Sequence, residues 1–89
     1  MFTLRRETDY ALQLLKVLSK NNHKVQSLNE ISKNTKISFL FLQKIARKLR
    51  MAKIIKAHQG VEGGYELLIN PKKTSLKQII EIIKFELTK

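Results

Sequence analysis

Cysteine is missing from all 89 residues. That excludes a disulfide framework, a thiolate nucleophile and any sulfur-ligated metal or cluster built from these residues alone. Acids are scarce, seven against eighteen lysines and arginines, for a formal net charge of +11. Between Glu30 and Glu62 the chain carries eight cations and no carboxylate, so the positive field is concentrated there, as in surfaces that bind polyanions. The only glycines are Gly60, Gly63 and Gly64, and the single proline is Pro71. Aromatic residues number six, four Phe and two Tyr, and they fall mostly in apolar stripes rather than forming a platform on which single-stranded bases stack. No apolar run approaches the length of a membrane span, and the N-terminus lacks a secretory apolar segment with a cleavage site. The expected compartment is the cytoplasm.

Catalytic sets are equally thin. His23 and His58 lie thirty-five residues apart, in a loop and in a predicted hairpin. Glu81 and Glu86, five apart on one helix, point in different directions and make no acid/base pair. The glycine stretch has neither the following Lys-Ser/Thr helix nor the G-x-G-x-x-G spacing that phosphate-binding loops need. No enzyme, no metal site and no cofactor are expected.

What is present is periodicity. A hydrophobic share of 43% in recurring stripes predicts a folded domain spanning residues 1–89. A chain of this size buries only about 60% of its unfolded surface, so a thin core or a partner subunit is expected. Ala11, Leu14, Leu15 and Leu18 predict a first core helix from Glu7 or Thr8 to Lys20, with Asp9 in its first turn and Asn21-Asn22-His23 closing it. Ser27-x-x-Glu30 is a capping box that opens a second helix at Leu28. The polar run Lys33 to Lys36 ends that helix, and Ser38 caps a third from Phe39 to about residue 52. Phe39, Leu42, Ile45, Ala46 and Leu49 predict its buried face; Leu40, Gln43, Lys44 and Arg47 occupy the other.

Ile54 to His58 and Tyr65 to Ile69 then read as two strands around a glycine-permitted turn. Asn70-Pro71 breaks the second strand, and Ser75-x-x-Gln78 caps a last helix running toward Leu87. Its main stripe is Leu76, Ile79, Ile80, Ile83 and Leu87. Ile82 and Phe85 lie on a separate flank, which suits either internal packing or contact with a second subunit. The predicted architecture is mainly α with a small β-hairpin: a winged helix-turn-helix with a three-helix core, a two-stranded wing and a C-terminal helix.

Five segments, in order, resemble the IscR, NsrR and CymR type of bacterial repressor. They are Thr8-Asp9-Tyr10-Ala11-Leu12, Ser27-Leu28-x-Glu30-Ile31-Ser32, Ile37-Ser38-x-x-Phe41-Leu42-Gln43-Lys44-Ile45, Leu49-Arg50 and Gly63-Gly64-Tyr65-x-Leu67. The resemblance covers the chain to about residue 85. It implies a dimeric transcription regulator that places the third helix in the major groove and the wing along the minor groove. It also implies a long dimerisation helix and, in some members, cluster-binding cysteines beyond the point where this sequence stops. The missing cysteines fit either a cluster-free, CymR-like member or a shortened chain. Asp9 stands where NsrR-like members place a cluster-ligating carboxylate, although a helix-dipole role already accounts for it. In departure from the family pattern, Gln59 replaces a wing arginine, Glu62 sits near the wing tip, Leu40 and Lys44 replace small polar or amide groups, and Phe41 replaces a frequent tyrosine.

On this reading the partner is double-stranded DNA with a palindromic operator, bound by a homodimer. Gln43 pairs with adenine, Lys44 donates to guanine and Leu40 packs on a thymine methyl. Ser38, Lys36, Arg47, Arg5 and Arg6 contact phosphates, with Lys56, His58 and Gln59 from the wing strand, and Gly60, Gly63 and Gly64 shape the wing. The alternative is a winged-helix module that binds RNA or another protein.

Overall fold

The computed structural model describes residues 4–20, 25–61, 63–70 and 73–87. Expectations for Phe2, for the helix closure at Asn21-Asn22-His23, for Glu62 and for Pro71 fall outside those residues. The elements run α1 (Leu4–Lys20), α2 (Leu28–Thr35), α3 (Phe39–Met51), β1 (Ile55–His58), β2 (Gly64–Leu67) and α4 (Leu76–Leu87). This is the winged helix-turn-helix order, mainly helical with one antiparallel hairpin.

One apolar cluster unites the elements, with Ala11, Leu14 and Leu18 of α1 meeting Ile31 of α2, Leu42, Ile45 and Leu49 of α3, Ile54 and Ile55 at the first strand, and Ile83 of α4. The α1 helix starts one turn earlier than its apolar stripe suggests, because Arg5 and Arg6 are good helix formers and Glu7 supplies the acid of the first turn. Arg5 and Arg6 therefore lie on α1, not ahead of it. Asp9 is an exposed residue of the following turn.

Short polar side chains fix the angle between α2 and α3. Ser27 Oγ accepts from the Glu30 amide at 3.2 Å, and Ser38 Oγ accepts from the Phe41 amide at the same distance. Between the two caps, Lys36 takes a left-handed conformation and donates its amide to the Ser32 carbonyl. Ser32 Oγ donates to the Ile37 carbonyl at 2.6 Å, while Thr35 Oγ1 accepts the Ile37 amide. Ile37 is thereby held as a buried anchor in a turn without glycine.

Along α3 the buried arc is Phe41, Leu42, Ile45, Ala46 and Leu49. Phe39, expected inside, is 37% exposed. At about 100° per residue it falls at the edge of the buried arc beyond Ala46, while Phe41 closes the other edge. The Phe41 ring packs edge-on against Tyr10, with centroids 5.0 Å apart, which braces α3 on α1.

In the hairpin, Ile55 faces Leu67, Lys56 faces Glu66, and His58 faces Gly64. β2 ends at Leu67, two residues before the apolar run does, although the Leu68 amide still donates to the Ile54 carbonyl. Gln26, just ahead of α2, adds a bridge on the other side of β2 by exchanging two backbone hydrogen bonds with Tyr65, at 2.9 and 2.8 Å. Gly64 is required at this crossing, because a Cβ there would overlap the Gln26 carbonyl.

The capping box of α4 is reciprocal. Gln78 Oε1 accepts from the Ser75 amide, and Ser75 Oγ accepts from the Gln78 amide. Ile79 and Ile83 are buried as the stripe predicts, but Leu76 is 62% exposed and Glu86 occupies a buried position instead. The first turn of α4 overhangs the core at the edge of an apolar hollow beside Leu12, Leu15 and Leu67. The end of the helix crosses α3, where Lys48 Nζ reaches the Glu86 carbonyl at 3.4 Å, a cation placed at the negative end of a helix.

Candidate nucleic-acid interface

The face of α3 opposite the core carries Leu40, Gln43, Lys44 and Arg47, all exposed, with Leu40 at 76%. They line one open groove with Met51, Lys48, Tyr65 of β2 and Glu86 of α4. The groove joins amide and cationic donors to apolar surface, the combination that contacts base edges and thymine methyls in a duplex. Its geometry follows from the buried arc: packing five apolar residues inward leaves the other half of the helix no choice but to face solvent.

The three base-reading candidates are not equivalent. Leu40 and Gln43 are uncharged and project into the groove, whereas Lys44 Nζ lies 3.0 Å from Glu7 Oε1 on α1. The cation is therefore held at its side chain's tip. Ser38 and Lys36 sit together at the N-terminal approach to α3, both exposed. Ser38 Oγ is engaged as the cap, which leaves its hydroxyl proton free to be donated. Arg47 is on the same exposed face as Gln43, one turn along. Arg5 and Arg6 are exposed in the first turns of α1.

On the wing, Lys56 and Gln59 are exposed. His58 is half-buried, and its Nε2 lies 2.6 Å from Glu66 Oε1, so it faces a carboxylate of the neighbouring strand rather than open solvent. A phosphate contact from His58 would compete with that carboxylate. Gly60, with φ at +109°, permits the turn, and the Gly63 amide closes it on the Gly60 carbonyl at 3.0 Å. Val61 is fully exposed at the tip.

On α4, Ile82 at 38% and Phe85 at 64% exposure are turned outward and border a shallow hollow with Gln78 and Glu81. Glu81 is exposed while Glu86 is buried, so the two carboxylates do not converge. Sequence reasoning overlooked Glu7, Met51 and Tyr65. Met51 was detectable, since it lies one turn beyond Arg47 on the outer arc. Tyr65 reaches the groove, and Glu7 reaches Lys44 beside it, only through tertiary packing.

A family model described as Rrf2, iron-dependent transcriptional regulator, matches residues 4–88. The HTH-type transcriptional regulator IscR of Cereibacter sphaeroides is 32% identical over 74 residues, 83% of this chain and 48% of that protein. A putative HTH-type transcriptional regulator of Aquifex aeolicus is 33% identical over 73 residues, 82% of this chain and 51% of that protein. Among solved structures, CymR, the global cysteine regulator of B. subtilis, superposes with a TM-score of 0.81 at 27% identity, covering 93% of this chain and 65% of that one. The IscR structure from T. potens gives a TM-score of 0.75 at 27% identity over 85% of this chain and 56% of that one. The chain spans about half the length of the curated relatives it matches.

Proposed function

The chain belongs to the Rrf2 family of transcriptional regulators, and from that premise we propose that it binds duplex DNA sequence-specifically, as a homodimer and a repressor, inserting α3 into the major groove. The observation that carries this reading is the exposed Leu40–Gln43–Lys44–Arg47 face of α3, backed by a buried face that fixes its direction. Gln43 offers the bidentate amide that suits adenine, Lys44 donates to guanine O6 or N7, and Leu40 contacts a thymine methyl. Ser38, Lys36, Arg47, Arg5 and Arg6 set the register on phosphates. Lys56 and Gln59 extend that contact along the wing, and His58 adds to it only in a complex that draws it away from Glu66. Ile82 and Phe85 supply the apolar contact with the second copy, whose two-fold axis matches a palindromic operator.

The family description names iron. These 89 residues contain no cysteine, and among the described residues no three His, Asp or Glu side chains gather as a ligand set. Asp9 is a lone exposed carboxylate, and Glu7 is engaged by Lys44. The described residues do not fit an iron site.

Titration of a palindromic duplex, a random duplex and single-stranded RNA across a salt series tests the reading. With Arg5, Arg6, Lys36, Arg47 and Lys56 of each protomer on phosphates, about ten contacts per dimer, log affinity for duplex should fall with log salt at a slope of about −9, at roughly 0.9 per contact. Duplex should also outcompete RNA. Equal or stronger RNA binding, or a slope near zero, refutes it.

A further inference from the structure

We propose that Glu7 is a positioning residue for specificity: from α1 it holds the Lys44 ammonium in one orientation on the duplex-facing surface and so limits which base edges Lys44 can reach. This rests on the reading of α3 as the groove-entering helix. The ion pair is 3.0 Å long, and its two ends differ sharply in environment, the Lys44 side chain being 55% exposed and that of Glu7 10%. Burial against α3 fixes the carboxylate, so Glu7 is the anchor and Lys44 the group anchored.

An unrestrained lysine is a compact charge on a four-carbon stem that donates to any phosphate within reach. Tied to Glu7, it spends one of its three N–H donors on the carboxylate and keeps two for the groove. The pair also offsets one positive charge on the duplex-facing surface. Both effects favour the correct base pair over an arbitrary duplex. Glu7 itself, nearly covered, touches no DNA on this account.

The test compares wild type with Glu7→Gln, which keeps the shape and an acceptor but removes the charge, and with Glu7→Asp, which keeps the charge but draws it back by one methylene. Each is titrated against a duplex selected by the wild type, against the same duplex with each base pair exchanged in turn, and against random duplex in a salt series. Glu7→Gln should bind random duplex several-fold more tightly, steepen the salt slope by about 0.9 per protomer, and lose about fivefold or more of its discrimination at one base pair per half-site. Glu7→Asp should lose discrimination at that same base pair with the slope unchanged. In a Lys44→Met background neither substitution should alter base preference, which separates positioning of Lys44 from a general loosening of the fold. Unchanged discrimination and slope in both variants, with wild type discriminating normally, overturn the role of Glu7 alone. Wild type that discriminates no duplex overturns the underlying reading of α3, and this inference with it.

Discussion

Gln43 and Arg47 stand one turn apart on the same exposed face of α3, yet they should fail in different ways when removed. An amide paired to one base confers discrimination, so Gln43→Ala should cost about 1–3 kcal/mol on the preferred duplex and relax the requirement at a single position. A guanidinium on a phosphate carries no base information, so Arg47→Ala should weaken binding to all duplexes alike and flatten the salt slope by about one per contact. Binding isotherms on matched and single-mismatch duplexes distinguish the two; the same loss on every duplex for both variants would remove Gln43 from the base-reading set. Both positions were legible in the sequence, because the 3.6-residue period assigns outward residues once the inward ones are known. Lys44 was legible as an outward cation, but its restraint by Glu7 was not, since 37 positions of sequence separate the pair and only the packing of α1 on α3 brings them together. Phe39 was misplaced for a related reason, whereas Phe41 braces α3 on its neighbour as its place on the helix suggests. Either ring suits the edge of the apolar arc, and the edge-on contact with Tyr10 decides in favour of Phe41.

At the scale of elements, caps and turns were the readable part. Ser27, Ser38 and Ser75 all cap the helices their spacing predicts. The hairpin was readable from its glycines, but its attachment to the chain ahead of α2 was not, because one bridge between Gln26 and Tyr65 leaves no periodic trace. That bridge assigns Gly64 its function, and Gly64→Ala should destabilise the protein by about 1–3 kcal/mol, in the range of locally strained backbone. Denaturant unfolding measures this, and a variant as stable as wild type would show that the hairpin can shift away from Gln26 at no cost. α4 departed furthest from its pattern. Five apolar residues at helical spacing suggested one stripe, but Leu76 lies outside the core and Glu86 inside it, near Lys48.

For the whole molecule, charge and exposed apolar surface point in complementary directions. A net charge of +11 favours association with a polyanion and opposes self-association through repulsion, so a dimer needs an apolar contact such as the Ile82 and Phe85 flank. Phe85→Glu should leave the helical circular dichroism intact while shifting the mass in solution from dimer to monomer and weakening duplex binding at least tenfold. Unchanged mass for a dimeric wild type would move the interface elsewhere. The measurement that bears most directly on the account is selection from a random pool of duplexes by the wild-type chain. It should recover an inverted repeat whose half-site centres are about 34 Å apart, one helical turn, or a multiple of that. A pool that emerges with no enriched sequence would contradict the assignment of α3 as a reader of DNA.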